Sequence, residues 1–147
     1  MTIGDIIGPD QVIVGLHVAD KAQLLQDLAG RAAGALPLNS RLILDALLAR
    51  ENLGSTGLGK GFALPHARLG VLDRRFALFA RLIRPIDFAA IDGRPVDLAI
   101  LLLTPTTGNE HLATLAALSR PLRDQRFLQR LRTAADAGAV HRLLVTA

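Results

Sequence analysis

Hydrophobic positions along the chain fall into two alternating spacings, one suited to strands and one to helices. Val12 to Leu16 is a short β-branched run after the turn residues Gly8-Pro9-Asp10, and such a run reads as a strand. From Asp20 the spacing changes. Leu24, Leu25, Leu28, Ala29 and Ala32 recur at helical intervals, with the Asp20 carboxylate placed to cap the first free amides. Gly34 and Pro37 are expected to end that helix. Asn39 or Ser40 then caps a second, whose apolar positions are Leu42, Ile43, Ala46, Leu47 and Ala49 and which finishes near Arg50-Glu51-Asn52. Phe62 to Leu64, Phe76 to Ile83 and Val96 to Leu103 read as strands, the last as a buried central one, with Asp87 to Gly93 a turn-rich connection. Helices follow over Asn109 to Ser119 and Arg123 to Ala135, while Gly138 to Val145 fits a helix or a strand equally. Several strands follow one another without an intervening helix, which requires antiparallel neighbours. The expected fold is therefore α/β, a mixed parallel and antiparallel sheet flanked by helices on both faces, in a single domain over residues 1–147.

Composition narrows the function classes. Half of the residues are hydrophobic and a fifth are charged, a balance that supports a packed core and argues against disorder. Cysteine is absent, which removes disulfides, thiolate metal sites and cysteine nucleophiles. Five Phe with no Trp or Tyr disfavour a protein that stacks bases. The longest apolar run, Leu98 to Leu103, is far shorter than the ~20 residues that cross a bilayer. The first ten residues lack the basic and long apolar regions of an export signal. A cytoplasmic protein without stable membrane insertion is the expectation. The net charge of +4 comes from 15 Arg and 2 Lys against 13 acids. A basic nucleic-acid-binding module ranks low on this evidence, since Arg120, Arg123, Arg126, Arg130 and Arg132 read as a solvated helix face.

Candidate chemistry concentrates in one stretch. Four glycines lie between Gly54 and Gly61, a density that makes regular structure implausible and allows the backbone to approach a ligand. The spacing Gly54-x-x-x-x-Gly59-Lys60 imitates a nucleotide-binding loop. Gly61 then stands where a magnesium-binding hydroxyl is needed, and a helix precedes the loop where a strand is required. His66 follows directly after Pro65, which keeps its predecessor out of helical space. A neutral imidazole is a good nucleophile near neutral pH. His111 falls in the first turn of a helix, where an anion is favoured. His17 and His141 read as structural. His66 and His111 have no obvious third ligand for a metal, Glu51 and Asp73 do not pair as a glycosidase requires, and Ser55 lacks the nucleophile elbow of a serine hydrolase.

The run Arg50-Glu51-Asn52-Leu53-Gly54-Ser55-Thr56-Gly57-Leu58-Gly59-Lys60-Gly61-Phe62-Ala63-Leu64-Pro65-His66 closely resembles the active-site signature of type-2 enzyme IIA domains of the bacterial phosphotransferase system. The resemblance continues through Pro85-Ile86-Asp87-Phe88, Ile91-Asp92-Gly93-Arg94-Pro95-Val96-Asp97-Leu98 and His111-Leu112, and so covers nearly the whole chain. It is greatest for the stand-alone nitrogen-regulatory branch. By this resemblance His66 would accept a phosphoryl group from a phosphohistidine carrier protein (HPr-like), Arg50 would bind the phosphoryl oxygens, and His111 would contact or orient the group. Ser55, Thr56 and the loop amides, that of Gly57 among them, would add hydrogen bonds. Arg68 and Lys60 would form a basic rim for an acidic partner. No cofactor or metal is implied. The family also implies regulatory targets such as sensor kinases or potassium transporters. The alternative within it is a fructose- or mannitol-type enzyme IIA that passes phosphate to an enzyme IIB.

Overall fold

A computed structural model describes all residues, 1–147. The elements in chain order are α1 (Ile3–Ile6), β1 (Val12–Leu16), α2 (Lys21–Ala35), α3 (Ser40–Asn52), β2 (Gly57–Gly59), β3 (Phe62–Ala63), β4 (His66–Arg68), β5 (Phe76–Ile86), β6 (Val96–Thr104), α4 (Glu110–Ser119), α5 (Gln125–Thr133) and α6 (Ala137–Val145). Single 3₁₀ turns precede β1 and α5, at Pro9–Gln11 and Pro121–Arg123. The strands form one sheet in the order β1-β5-β6-β3-β2. The β1/β5 and β3/β6 pairs are parallel, and β5/β6 and β2/β3 antiparallel. Strand β4 also pairs parallel with β6, continuing the line of β3. No helix is long and apolar enough to cross a membrane.

Helices cover both faces of the sheet, and β6 shows why. Ala99, Leu101 and Leu103 pack with Leu24, Leu28, Ile43 and Leu47 of α2 and α3. The intervening Leu98, Ile100 and Leu102 pack with Leu118, Leu128, Leu131, Val140 and Leu144 of the C-terminal helices. All six residues are fully buried, so an unbroken apolar run is what a strand covered on both sides requires.

Several boundaries differ from the sequence expectation for local reasons. Helix α2 runs through Gly34 to Ala35 and ends at Leu36, whose amide donates to the Ala32 carbonyl. On α3, Ile43 and Leu47 are buried while Leu42 and Ala49 face solvent, because the helix buries one narrow stripe. Strand β5 continues through Pro85 to Ile86, with a register shift between Arg81 and Ile86 where proline offers no donor. The helix expected from Arg123 starts only at Gln125, where Asp124 accepts from the Arg126 amide. The undecided C-terminal stretch is the helix α6, capped by Asp136. Arg132 is not part of a solvated face: it is half-buried and pairs with Asp97 at 2.9 Å.

Candidate active site

Within the glycine-rich stretch, regular structure forms after all. Strands β2 and β3 make a small hairpin whose turn residues Lys60 and Gly61 have φ of 59° and 81°, the pair of positive angles that a tight hairpin of the primed type demands. The close approach at Gly57 is to the protein itself, since a Cβ there would lie 2.7 Å from that of Ala90. Past the hairpin, the Leu64 amide donates to Thr56 at 2.9 Å and the Pro65 carbonyl accepts from Leu102 at 3.0 Å. His66 is thus seated in register on β6, opposite Leu102.

Both nitrogens of His66 have defined partners. Nδ1 lies 2.8 Å from the Leu64 carbonyl, which can only accept, so Nδ1 carries the proton. The lone pair of Nε2 accepts from Arg50 Nε at 3.2 Å. Arg50 stands in the last turn of α3, and its Nη1 donates to the Gly54 carbonyl at 2.8 Å, so the guanidinium bridges the loop and the imidazole. Burial pushes the His66 pKa below the ordinary histidine value, and the Arg50 charge acts in the same direction. The Leu64 carbonyl and the Glu51 charge oppose them.

His111, near the start of α4, is buried. Its ring centroid is 5.5 Å from that of His66, tilted by 47°, and its Nδ1 shares a 2.6 Å hydrogen bond with the Thr104 hydroxyl. Burial and then the charges of Arg68, His66 and Arg50 lower its pKa to about 4, so the ring is neutral at pH 7.

Ser55 and Thr56 border the site with their donors engaged inside the protein. The Ser55 hydroxyl donates to the Phe88 carbonyl at 3.2 Å and accepts from the Gly57 amide at 3.1 Å. The Thr56 amide and hydroxyl both donate to the Glu51 carboxylate. Lys60 donates to the Arg123 carbonyl at 2.8 Å, and Arg68 is exposed. Two cavities flank His66 and share it with Arg50. One, of about 430 Å³, is walled by the hairpin and α4 and includes Leu58, Phe62 and Leu115. The other, of about 380 Å³, lies between α3 and β4 and is lined by Ala49, Leu53, Arg68 and His111. No carboxylate lines either.

His17, exposed beyond β1, and His141, half-buried on α6, line neither cavity. No cluster of three or more His, Asp or Glu suited to a metal is present. Sequence reasoning missed Thr104, Lys21 and Asp92. Thr104 had one signal, a hydroxyl closing an apolar strand. Lys21 is one of only two lysines, and its Nζ reaches Glu51 at 2.7 Å. Asp92 accepts from the Lys60 amide at 2.9 Å, a contact across 32 residues that no local pattern announces.

A histidine pair, an arginine on a helix end and a glycine hairpin on a two-faced mixed sheet define a class, and comparison with known proteins agrees. The chain belongs to the family described as "Phosphoenolpyruvate-dependent sugar phosphotransferase system, EIIA 2", whose family model matches residues 5–146. Within it, the chain is 46% identical to a nitrogen regulatory protein of Bradyrhizobium diazoefficiens over 98% of this chain and 95% of that one. It is 37% identical to one of Pseudomonas aeruginosa over 95% and 92%. The crystal structure of nitrogen regulatory protein IIA-Ntr from Neisseria meningitidis superposes with a TM-score of 0.91 at 32% identity, over 97% of this chain and 98% of that one.

Proposed function

We propose that His66 accepts a phosphoryl group on Nε2 from a phosphohistidine carrier protein in the cytoplasm, and that the chain regulates nitrogen-linked target proteins according to its phosphorylation state. The supporting observation is the pair of contacts on the imidazole. With its proton held at Nδ1 by Leu64, Nε2 carries an unprotonated lone pair that accepts only from the Arg50 guanidinium. That lone pair attacks the carrier's phosphorus, the carrier's P–N bond breaks, and the carrier imidazole leaves with the bonding electrons. Nε2 has no proton to lose. The lowered His66 pKa keeps the ring neutral at pH 7.

Such transfer depends on in-line positioning and on cationic or N–H stabilisation of the oxygens. Arg50 turns its Nε–H from the lone pair to a phosphoryl oxygen. His111, accepting at Nδ1 from Thr104, presents Nε2–H as a second donor. Ser55, Thr56 and Gly57 shape the loop side of the phosphoryl site, and Arg68 and Lys60 supply a basic rim for an acidic partner face. Full-length similarity to nitrogen regulatory proteins favours regulation. The sugar-transport wording of the family description supports a second reading, onward transfer to an enzyme IIB.

Incubation with phosphorylated carrier is expected to add one acid-labile phosphate to the wild-type chain and none to His66→Ala. Label persisting in that variant overturns the assignment. Rapid discharge of the label onto a fructose- or mannitol-type IIB domain supports the second reading instead.

A further inference from the structure

Beneath the loop lies an ion pair that the phosphoryl site does not itself use. Lys21, the first residue of α2, and Glu51, next to Arg50 in the last turn of α3, approach to 2.7 Å, with the Glu51 side chain only 5% exposed. The same carboxylate accepts from the Thr56 amide through both oxygens at 3.2 Å and from the Thr56 hydroxyl. Lys21 Nζ also donates to the Phe88 carbonyl at 3.2 Å and sits 4.4 Å from the centre of the buried Phe88 ring. Ser55 donates to that carbonyl as well. One ammonium and one carboxylate therefore join α2, the end of α3, the loop at Ser55-Thr56 and the segment after β5.

A buried carboxylate is tolerated when it is paired and fully hydrogen-bonded, and removing one partner leaves a costly charge. Glu51 has more donors than a structural tie between two helices needs, and two of them come from the loop that walls the site. We propose that Lys21 and Glu51 are positioning residues for phosphoryl acceptance: their pair holds Arg50 and the loop around His66, and Lys21 neutralises a carboxylate charge close to the nucleophile. This inference rests on the reading of His66 as the acceptor.

The charged groups acting on His66 are Arg50 and Glu51, both from α3; the His111 ring of α4 faces it at 5.5 Å and is itself acted on by Arg68 of β4, His66 and Arg50. Among them Glu51 alone favours the imidazolium. The two partners therefore have opposite electrostatic effects when removed. Lys21→Met leaves the carboxylate uncompensated and moves the His66 titration midpoint up. Glu51→Gln removes the negative charge, leaves the ammonium, and moves it down.

The test reads the ring titrations of His66 by NMR and the rate of phosphoryl uptake at pH 7, in the full chain. Midpoints moving in opposite directions, with uptake slowed roughly tenfold or more in each variant and retained in Lys21→Arg, are the expected result. Midpoints that move together or stay put, or wild-type uptake in both variants, overturn the proposal. Should Lys21→Met not fold, Glu51→Gln decides alone, a fall in the midpoint with slowed uptake supporting the inference and any other result opposing it. If the wild-type chain takes up no phosphate, the acceptor reading fails, and the titrations still report whether the pair acts on the imidazole.

Discussion

Arg50 makes two contacts at once, donating through Nε to His66 and through Nη1 to Gly54. A planar, forked cation presents these two donors in fixed, separated directions, whereas all the donors of a lysine ammonium sit on one nitrogen. Arg50→Ala is expected to slow phosphoryl uptake by ~10²–10³-fold, the scale seen when one oxyanion donor is removed, with an unchanged NMR fingerprint elsewhere. Arg50→Lys is expected to recover only a small part, and full recovery would show that charge alone matters. His111 offers a second reading at this scale. Its pKa of about 4 reflects burial first and then the neighbouring Arg68, His66 and Arg50, so a phosphoryl dianion on His66 must raise it. Titration of His111 in the phosphorylated protein checks the direction, and an unmoved midpoint would place the phosphoryl group away from that ring. Of the site's residues, His66, Arg50, His111 and the glycine loop stand out in sequence because proline, glycine density and the family motif mark them. Lys21 and Thr104 do not, since each acts through a side-chain contact that local sequence patterns do not encode.

Among the elements, the β2/β3 hairpin carries the site's least forgiving geometry. A Cβ on Gly57 would stand 2.7 and 2.8 Å from Ala90 atoms, so Gly57→Ala forces the hairpin away from the segment after β5. A loss of about 1–3 kcal/mol is expected from such overpacking, read as a lower midpoint of chemical denaturation, and a wild-type midpoint would mean that the contact yields. Arg132 secures the opposite side of the hairpin, donating to the Lys60 carbonyl at 2.5 Å while paired with Asp97. Helix α2 was legible in detail, because its cap Asp20 and its stripe from Leu24 to Ala32 are written at helical spacing. Strand β2 was not, since glycine has no strand preference and pairing alone creates it. For the short apolar segment that becomes α6, packing against α1 and β1 decides what periodicity leaves open.

For the molecule as a whole, sheet and helices form two cores that meet through the sheet, and of the site's two histidines His111 is buried and His66 half-buried. That has a consequence for stability. The folded pKa of His111 is lowered from 6.5 to about 4, so between these values the unfolded chain binds the extra proton and the folded chain resists it. Stability is therefore complete above pH 6.5 and declines as pH falls toward 4, with His66, shifted in the same direction, adding to the decline. Denaturation midpoints at pH 7 and pH 5 check this. His111→Asn should flatten the difference, and an unaltered difference would trace the loss to other groups. Phosphorylation of His66, as proposed, would add about −1.5 to −2 charge near pH 7 to a chain of net +4, at a point ringed by cations and free of lining carboxylates. A change of that size in local potential is what a partner can read.

Long-range proton–nitrogen correlation of the phosphorylated ring, combined with phosphorus NMR, tests the central claim most directly. It should show a phosphoramidate on Nε2 of His66 with the proton still on Nδ1. An adduct on Nδ1, or on any other residue, would contradict it.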